Sequence, residues 1–173
     1  MVDMLPLQAD AITLRDYQIN AIDDITTAAV NHRRIVLQSA TGSGKTIIAS
    51  QIIKNATENG QRVLFLVHRR ELIWQTHEKL ASFGIYCSTI VPDEPYDPIA
   101  LACVASIQTL HARSIRRGSL QLPKAVLVIC DEFHHCFSSA SWQKILDKYP
   151  NSFILGLTAT PIRLDGRGLK DDY

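Results

Sequence analysis

The sequence predicts an α/β fold with a doubly wound parallel sheet and helices on both faces. Three observations support this prediction. Short β-branched, apolar runs alternate with helical patterns along the chain. Polar clusters follow directly after the predicted strands. The chain has 173 residues, of which 46% are hydrophobic and 20% charged, which is typical of one globular domain.

The first half of the chain predicts three helices and two strands. Apolar residues at Tyr17, Ile22 and Ile25 fit an amphipathic helix over 14–29. Asn59 and Gly60 are typical of a helix end. The predicted elements are the helix 14–29, the strand 34–38, the helix 45–57, the strand 62–67 and the helix 70–83.

The second half continues the alternation. Three prolines between positions 92 and 98 indicate a turn-rich surface connection. An apolar run leads directly into Asp131 and predicts a buried strand. The predicted elements are the strands 85–91 and 99–105, the helix 107–115, the strand 125–130, the helix 140–148 and the strand 153–157.

Composition bears on the cellular location of the protein but does not identify a binding partner. The formal net charge of +1 gives no indication of a nucleic-acid or membrane surface, although a local basic patch is compatible with it. No apolar run approaches the ~20 residues of a membrane span, and the first residues lack a basic leader. We expect no membrane partner, a cytoplasmic location and four reduced, buried cysteines (Cys87, Cys103, Cys130 and Cys136).

The polar clusters are expected to meet at one edge of the sheet, because ligands of open parallel sheets bind beyond the carboxyl ends of the strands. The clusters are residues 39–46, 68–69, 106–108, 131–132 and 158–160.

Residues 39–46 read Ser-Ala-Thr-Gly-Ser-Gly-Lys-Thr and predict a phosphate-binding P-loop. Glycines let successive N–H groups surround phosphate oxygens, and the following helix directs its positive end to the same point. Lys45 can reach the β- and γ-phosphates of ATP, and the Thr46 hydroxyl can join a Mg²⁺ shell. Ser39 departs from the usual pattern, which has glycine there. The predicted nucleotide contacts in this loop are Thr41, Gly42, Ser43, Gly44, Lys45 and Thr46.

Asp131 and Glu132 follow an apolar strand. Asp131 can hold Mg²⁺, and Glu132 can orient or deprotonate the attacking water. A helix N-cap with a solvated acid pair is the alternative interpretation.

With these residues in place, the chain resembles the first RecA-like domain of superfamily 2 helicases and translocases, over roughly residues 12–170. Residues 131–134 (Asp-Glu-Phe-His) are similar to a DExH motif II, and 158–160 (Thr-Ala-Thr) to motif III. Residues 68–72 resemble motif Ia, with Gln75 after it, and 104–110 resemble motif Ib. Residues 14–18 and 155–169 resemble the branch of restriction-enzyme motor subunits and XPB-like repair helicases.

The resemblance implies a P-loop NTPase that couples ATP hydrolysis to movement on nucleic acid. Gln18 would read the adenine edge with help from Arg15, whereas Tyr17 would pack in the core. His134 would join Lys45, Asp131 and Glu132 in catalysis. Thr158 and Thr160 would couple the state of the γ-phosphate to movement between domains.

The resemblance also implies a nucleic-acid surface, with DNA favoured over RNA. The candidates for phosphate contact are Arg69, Arg70, Ser106, Gln108 and Thr109. A solvated Arg-Arg pair and a capped helix start are the alternatives. Arg163 and Arg167 are expected to support the loop after motif III or touch nucleic acid, and not to act as arginine fingers.

Four cysteine and histidine residues around motif II are weak candidates for a zinc site. Cys130, His134, His135 and Cys136 lie within seven positions, but Cys130 belongs to a predicted strand and His134 to motif II. His32 and His111 have no ligand at suitable spacing, and we expect both at the surface.

We expect residues 1–173 to form a single N-terminal helicase ATP-binding domain. A second RecA-like domain, in cis or in trans, would supply motifs IV to VI, so this chain alone is expected to be nearly inactive. Two alternatives remain open: a restriction-type double-strand DNA translocase subunit, and a non-catalytic nucleic-acid-docking module with a vestigial ATP site.

Overall fold

The computed structural model describes residues 13–92, 94–136 and 139–160. The strands are β1 (Arg34–Gln38), β2 (Val63–Val67), β3 (Cys87–Ile90), β4 (Ala102–Ser106), β5 (Leu127–Cys130) and β6 (Phe153–Thr158). The helices are α1 (Asp16–Ala28), α2 (Lys45–Glu58), α3 (Glu71–Ser82), α4 (Ile107–Leu110) and α5 (Ala140–Leu146). The six strands form one sheet in the order β1-β6-β5-β2-β4-β3, and every pair is parallel.

The sheet separates two apolar cores, because successive side chains of a strand point to opposite faces. Val63, Phe65 and Val67 of β2 pack with α1, α2 and α3. Leu64 and Leu66 of the same strand pack with α4 and α5. Helices therefore cover both faces, and the predicted doubly wound parallel sheet is confirmed.

Strand β4 begins three residues later than predicted. The predicted strand includes Ile99, but this side chain is 80% exposed. Its N–H donates to Oδ1 of Asp97 at 2.8 Å, which is a local turn bond. The strand therefore begins at Ala102, after the turn.

The predicted helix over 107–115 is divided. Four residues form α4, and His111–Arg116 then form a π-helix. His111 is half-buried, its Nε2 lacks a hydrogen-bond partner among the described residues, and burial lowers its pKa. The predicted surface position is thus wrong for His111, whereas His32 is exposed as predicted.

All four cysteines are free and buried, as predicted. Burial raises the pKa of Cys87 to about 11 and that of Cys103 to about 12. Of the helices in the described part of the chain, none is long and apolar enough to cross a membrane.

Candidate functional site

The five polar clusters lie at the carboxyl ends of β1, β2, β4, β5 and β6. Because all six strands run in the same direction, these ends share one edge of the sheet. The backbone ties the glycine loop to motif III here, since the N–H of Ser39 donates to the carbonyl of Thr158 at 3.0 Å.

The loop at 39–46 has the tight geometry of a phosphate-binding turn. Gly42 and Gly44 have φ values of 80° and 82°, a region that favours glycine, and Gly44 caps α2. The Ser39 hydroxyl donates to Oγ of Ser43 at 2.7 Å, so the residue that departs from the usual pattern closes the loop. Lys45 donates from Nζ to the carbonyls of Ser39 at 2.9 Å and Ala40 at 3.1 Å. The ammonium group therefore lies over the loop that would hold the phosphates.

Two side chains of helix α1 contact this loop. The Tyr17 hydroxyl donates to the Ser43 carbonyl at 2.7 Å, and the side chain is 43% exposed. The expectation that Tyr17 packs in the core is therefore wrong. Its ring reaches the loop because α1 crosses beside it.

Gln18 also lies against the loop. It is 3% exposed; its Oε1 accepts from the N–H of Arg15 at 3.0 Å, and its Nε2 lies 3.5 Å from the Ser43 carbonyl. A Cβ at Gly44 would lie 2.5 Å from Nε2 of Gln18. The backbone angle of Gly44 thus favours glycine, and a side chain there would also require the end of Gln18 to shift. The Arg15 side chain is exposed at the start of α1.

Asp131 and Glu132 form a strained turn at the end of β5. The Asp131 N–H donates to the Leu66 carbonyl at 2.9 Å, and the Glu132 N–H donates to Oδ1 of Asp131 at 3.0 Å. Glu132 has a φ of 49°, the only positive value at a non-glycine residue in the described part of the chain. Such backbone costs about 1–3 kcal/mol and is concentrated at functional sites.

Asp131 is mostly buried, and burial raises the pKa of its carboxyl group. The nearby Glu132 charge raises this pKa as well, whereas Lys45 and His134 lower it. The Lys45 ammonium thus acts across the site on a carboxylate that is partly removed from solvent. A buried carboxylate of this kind is best stabilised by a cation.

A cavity of about 320 Å³ opens beside this carboxylate. Its lining comprises Thr46, Leu72, Gln75, Thr76, Lys79 and Asp131. The Thr46 hydroxyl and the Asp131 carboxylate are hard oxygen donors, which suit Mg²⁺. The residues therefore fit the predicted metal.

His134 links motif II to motif III. Its Nδ1 lies 3.2 Å from Oγ1 of Thr158 and 3.3 Å from Oε2 of Glu132. The Thr158 hydroxyl donates its hydrogen to the Thr160 carbonyl at 2.9 Å, so Oγ1 faces His134 as an acceptor. Nδ1 of His134 therefore carries a hydrogen, and the ring connects Glu132 with Thr158.

Phe133 and Gly156 explain how this turn is held, and sequence reasoning missed both. Phe133 is fully buried against β6. A Cβ at Gly156 would lie 2.5 Å from Cδ1 and 2.8 Å from Cδ2 of the Phe133 ring. The signal was present, since a glycine within an apolar strand indicates close approach of another group.

A second missed feature is a row of imidazole rings. His68 and His135 are stacked, with ring centroids 3.9 Å apart and planes 15° from parallel. His135 in turn lies 4.2 Å from His134 at 41°. Burial is the main cause that lowers the pKa of His68 and of His135. The pairing of β2 with β5 brings these histidines together, and no local sequence pattern predicts this contact.

The candidates for nucleic-acid contact fall into an exposed group and a buried group. Arg69, Arg70 and Gln108 are exposed. Ser106 and Thr109 are buried, with the Ser106 hydroxyl donating to Oγ1 of Thr109 at 2.9 Å and accepting from its N–H at 3.2 Å. Both hydroxyls thus serve the start of α4, as in the capping alternative. Arg163 and Arg167 lie outside the described residues.

The cluster of cysteines and histidines around motif II is built differently from a zinc site. Cys130 and Cys136 are free and buried in the core, and burial is the main cause that raises the pKa of Cys136. Within the described ranges, no group of three or more His, Cys, Asp or Glu residues is arranged to hold a metal ion.

A parallel sheet with a glycine loop after β1 and an acidic turn after β5 defines a P-loop nucleotide-binding domain with a RecA-like fold. The chain belongs to the type III restriction enzyme res subunit family, whose profile matches residues 11–163.

Individual relatives include a phage protein and a DNA translocase. It is 40% identical over 138 residues to a 51.5 kDa protein of a Lactococcus phage (isolate 7-9), covering 80% of this chain and 26% of that protein. It is 31% identical over 172 residues to the DNA 3'-5' translocase XPB2 of Sulfurisphaera tokodaii, covering 96% and 36%. The chain thus spans about a quarter to a third of the length of these two relatives.

Solved structures show the same fold. A nuclease-deletion mutant of the type ISP restriction-modification enzyme LlaGI, in complex with a DNA substrate mimic, matches with a TM-score of 0.70 at 19% identity, covering 93% of this chain and 19% of that one. The UvsW helicase of bacteriophage T4 matches with a TM-score of 0.68 at 22% identity, covering 87% and 54%.

Proposed function

We propose that this chain is the ATP-binding half of a nucleic-acid-dependent ATPase that acts as a DNA helicase or translocase. One observation carries the proposal: Lys45, Thr46, Asp131 and Glu132 converge at one sheet edge, where His134 joins them to Thr158. Each group then has a role in phosphoryl transfer.

The loop amides and Lys45 would bind the triphosphate. Nζ of Lys45 would exchange its bonds to the loop carbonyls for bonds to the β- and γ-phosphates. Thr46 and Asp131 would hold Mg²⁺, which neutralises phosphate charge when bound. Gln18 and Arg15 would face the adenine, with Gln18 already fixed against the loop.

Glu132 would act on the attacking water. Its side chain is 40% exposed, so water can reach the carboxylate, and the bond to His134 fixes its direction. The water oxygen attacks the γ-phosphorus, the bond to the β-phosphate oxygen breaks, and Glu132 accepts the water proton. His134 holds Glu132 in place. Through its contact with Thr158, which bonds to Thr160, a movement of Glu132 would also move motif III.

The partner we propose is DNA, together with a second RecA-like domain that completes the ATP site. Two structurally similar proteins are described as bound to DNA or to a DNA mimic, LlaGI and the SWI2/SNF2 ATPase core of Sulfolobus solfataricus. Exposed Arg69 and Arg70 can contact backbone phosphates, as can Gln108 and the amides near Ser106. The buried, free thiols fit a reducing cytoplasm.

A double-strand DNA translocase of the restriction type is the second candidate. It is supported by 33% identity over 156 residues to the type I restriction enzyme EcoAI endonuclease subunit of Escherichia coli. Such a motor would move along duplex DNA without separating its strands.

The test is ATP hydrolysis by the full-length protein with single-stranded DNA, duplex DNA and RNA compared side by side. We expect DNA to raise the rate, and Lys45→Ala to lower it by about 10²–10³. Glu132→Gln should keep ATP binding while hydrolysis falls by about 10²–10⁴. Stimulation by duplex alone, without unwinding, would favour the translocase. Equal rates with all three nucleic acids and without any would refute the proposal.

A further inference from the structure

The three imidazole rings form a continuous path between two functional segments. Their row begins at His68, one residue before Arg69, and passes through His135 to His134. His134 contacts Glu132 and Thr158. A displacement at the start of α3 can therefore reach Glu132 through packed rings alone.

The packing around His68 indicates that the stack holds this ring in place. Its Nδ1 is buried and has no hydrogen-bond partner among the described residues. A buried polar atom is normally hydrogen-bonded, so contact with the neighbouring ring is what orients His68 here. The planes of His68 and His135 lie 15° apart at 3.9 Å, so the position of one ring constrains the other.

The charges around the stack suit two neutral rings. Burial is the main cause that lowers the pKa of both rings, Arg69 and the neighbouring imidazoles lower it further, and Glu132 raises it. Two imidazolium ions at this distance would repel each other. The rings can therefore stay in contact while the groups at either end move.

We propose that His68 and His135 are positioning residues that transmit nucleic-acid contact at Arg69 and Arg70 to Glu132 and His134. This inference rests on the proposed function, because it needs a nucleic-acid surface at one end and an ATP site at the other. Neither histidine touches the reacting atoms. Their role is to make hydrolysis depend on bound nucleic acid.

Removal of one ring is the direct perturbation, carried out in the full-length protein. His68→Leu deletes the flat ring and keeps an apolar side chain, whereas His68→Phe keeps a ring that can stack. His68→Asn is a second non-aromatic variant, used if His68→Leu unfolds. His77→Leu is the matched control, since His77 lies on α3 and contacts Trp74 instead of the stack.

Two measurements separate coupling from simple packing. The first is the ratio of DNA-stimulated to basal ATPase rate, which we expect to fall at least about fivefold in His68→Leu, with the basal rate kept. The second is DNA affinity with and without a non-hydrolysable ATP analogue. Coupling is reciprocal, so the analogue should lose its effect on DNA affinity in the same variant. His68→Phe and His77→Leu should behave as wild type.

Two results would overturn the inference. One is a non-aromatic variant that folds and keeps both the stimulation ratio and the effect of the analogue. The other is an equal loss of basal and stimulated rates in both non-aromatic variants, which is the effect of a scaffold residue. A wild-type protein that no nucleic acid stimulates would overturn the proposed function and this inference with it. Normal stimulation in wild type and variants alike would overturn only the inference.

Discussion

Replacement of Gly156 by alanine should destabilise the domain, although the added group is a single methyl. Its Cβ would lie 2.5 Å and 2.8 Å from two ring carbons of Phe133, where ordinary contacts are 3.4–4 Å. The ring must therefore withdraw by about 1 Å, in a core that is already close-packed. Overpacking of this kind costs about 1–3 kcal/mol. Gly→Ala without a clash would instead stabilise by about 0.4–1 kcal/mol.

The expected thermal shift follows from this cost. A domain of this size loses about 2–4 °C in Tm for each kcal/mol, so Gly156→Ala should lower Tm by roughly 2–12 °C. The ring lies between Glu132 and His134 in sequence. Its displacement should therefore also reduce ATP hydrolysis by more than it weakens ATP binding.

Calorimetry or circular dichroism of four proteins would measure the effect: wild type, Gly156→Ala, Phe133→Leu and the double variant. The smaller leucine leaves room for the methyl group, so the two destabilisations should be clearly less than additive. Additive losses, or a Gly156→Ala protein as stable as wild type, would show that the ring does not resist displacement. The reasoning from the close approach would then be wrong.

Three further predictions address the loop, the histidines and the thiols. Gly44→Ala places a methyl group 2.5 Å from Nε2 of Gln18 at a backbone φ of 82°. This change should weaken the binding of a fluorescent ATP analogue. Unchanged affinity would show that the contact between Gly44 and Gln18 does not shape the nucleotide site. The pKa of His68 and of His135 is lowered in the folded state from 6.5, so the unfolded chain binds these protons first as pH falls. Their contribution to stability is thus present above about pH 6.5 and lost below it, and Tm should fall less steeply between pH 7 and 5 in His68→Phe than in wild type. Because burial raises the pKa of Cys87 to about 11 and that of Cys103 to about 12, iodoacetamide at pH 8 should label neither in the native protein and both after denaturation, as mass spectrometry would show.

The sequence was sufficient for features that depend on local pattern. The strand at 34–38 has the predicted bounds because an apolar run there meets a glycine loop directly. The start of α2 at Lys45 follows from the same loop. Asp131 could be placed at the end of a strand because the preceding residues are uniformly apolar. Periodicity and turn chemistry are short-range signals, and these elements contain little else.

Features that depend on contacts between distant residues could not be read in this way. Tyr17 has the character of a core residue, but its hydroxyl finds the Ser43 carbonyl only because α1 crosses beside the loop. Ile99 resembles the start of a strand, but the side chain of Asp97 closes a turn there. The stack of His68 on His135 requires the register of β2 against β5, which no segment contains by itself.

The pairing of β1 with β6 has a consequence for the order of events during synthesis. Arg34 lies opposite Ile154 and Gln38 opposite Thr158. Strand β1 therefore pairs with a strand that lies about 120 residues further along the sequence. At ~5–20 residues per second, β6 leaves the ribosome roughly 6–24 s after β1. During that interval the apolar side chains of β1 have no β6 to pair with, and the loop lacks its bond from Ser39 to Thr158. The nascent chain should therefore gain affinity for nucleotide only after its last described strand has emerged, and ATP cannot help the earlier part of the domain to fold.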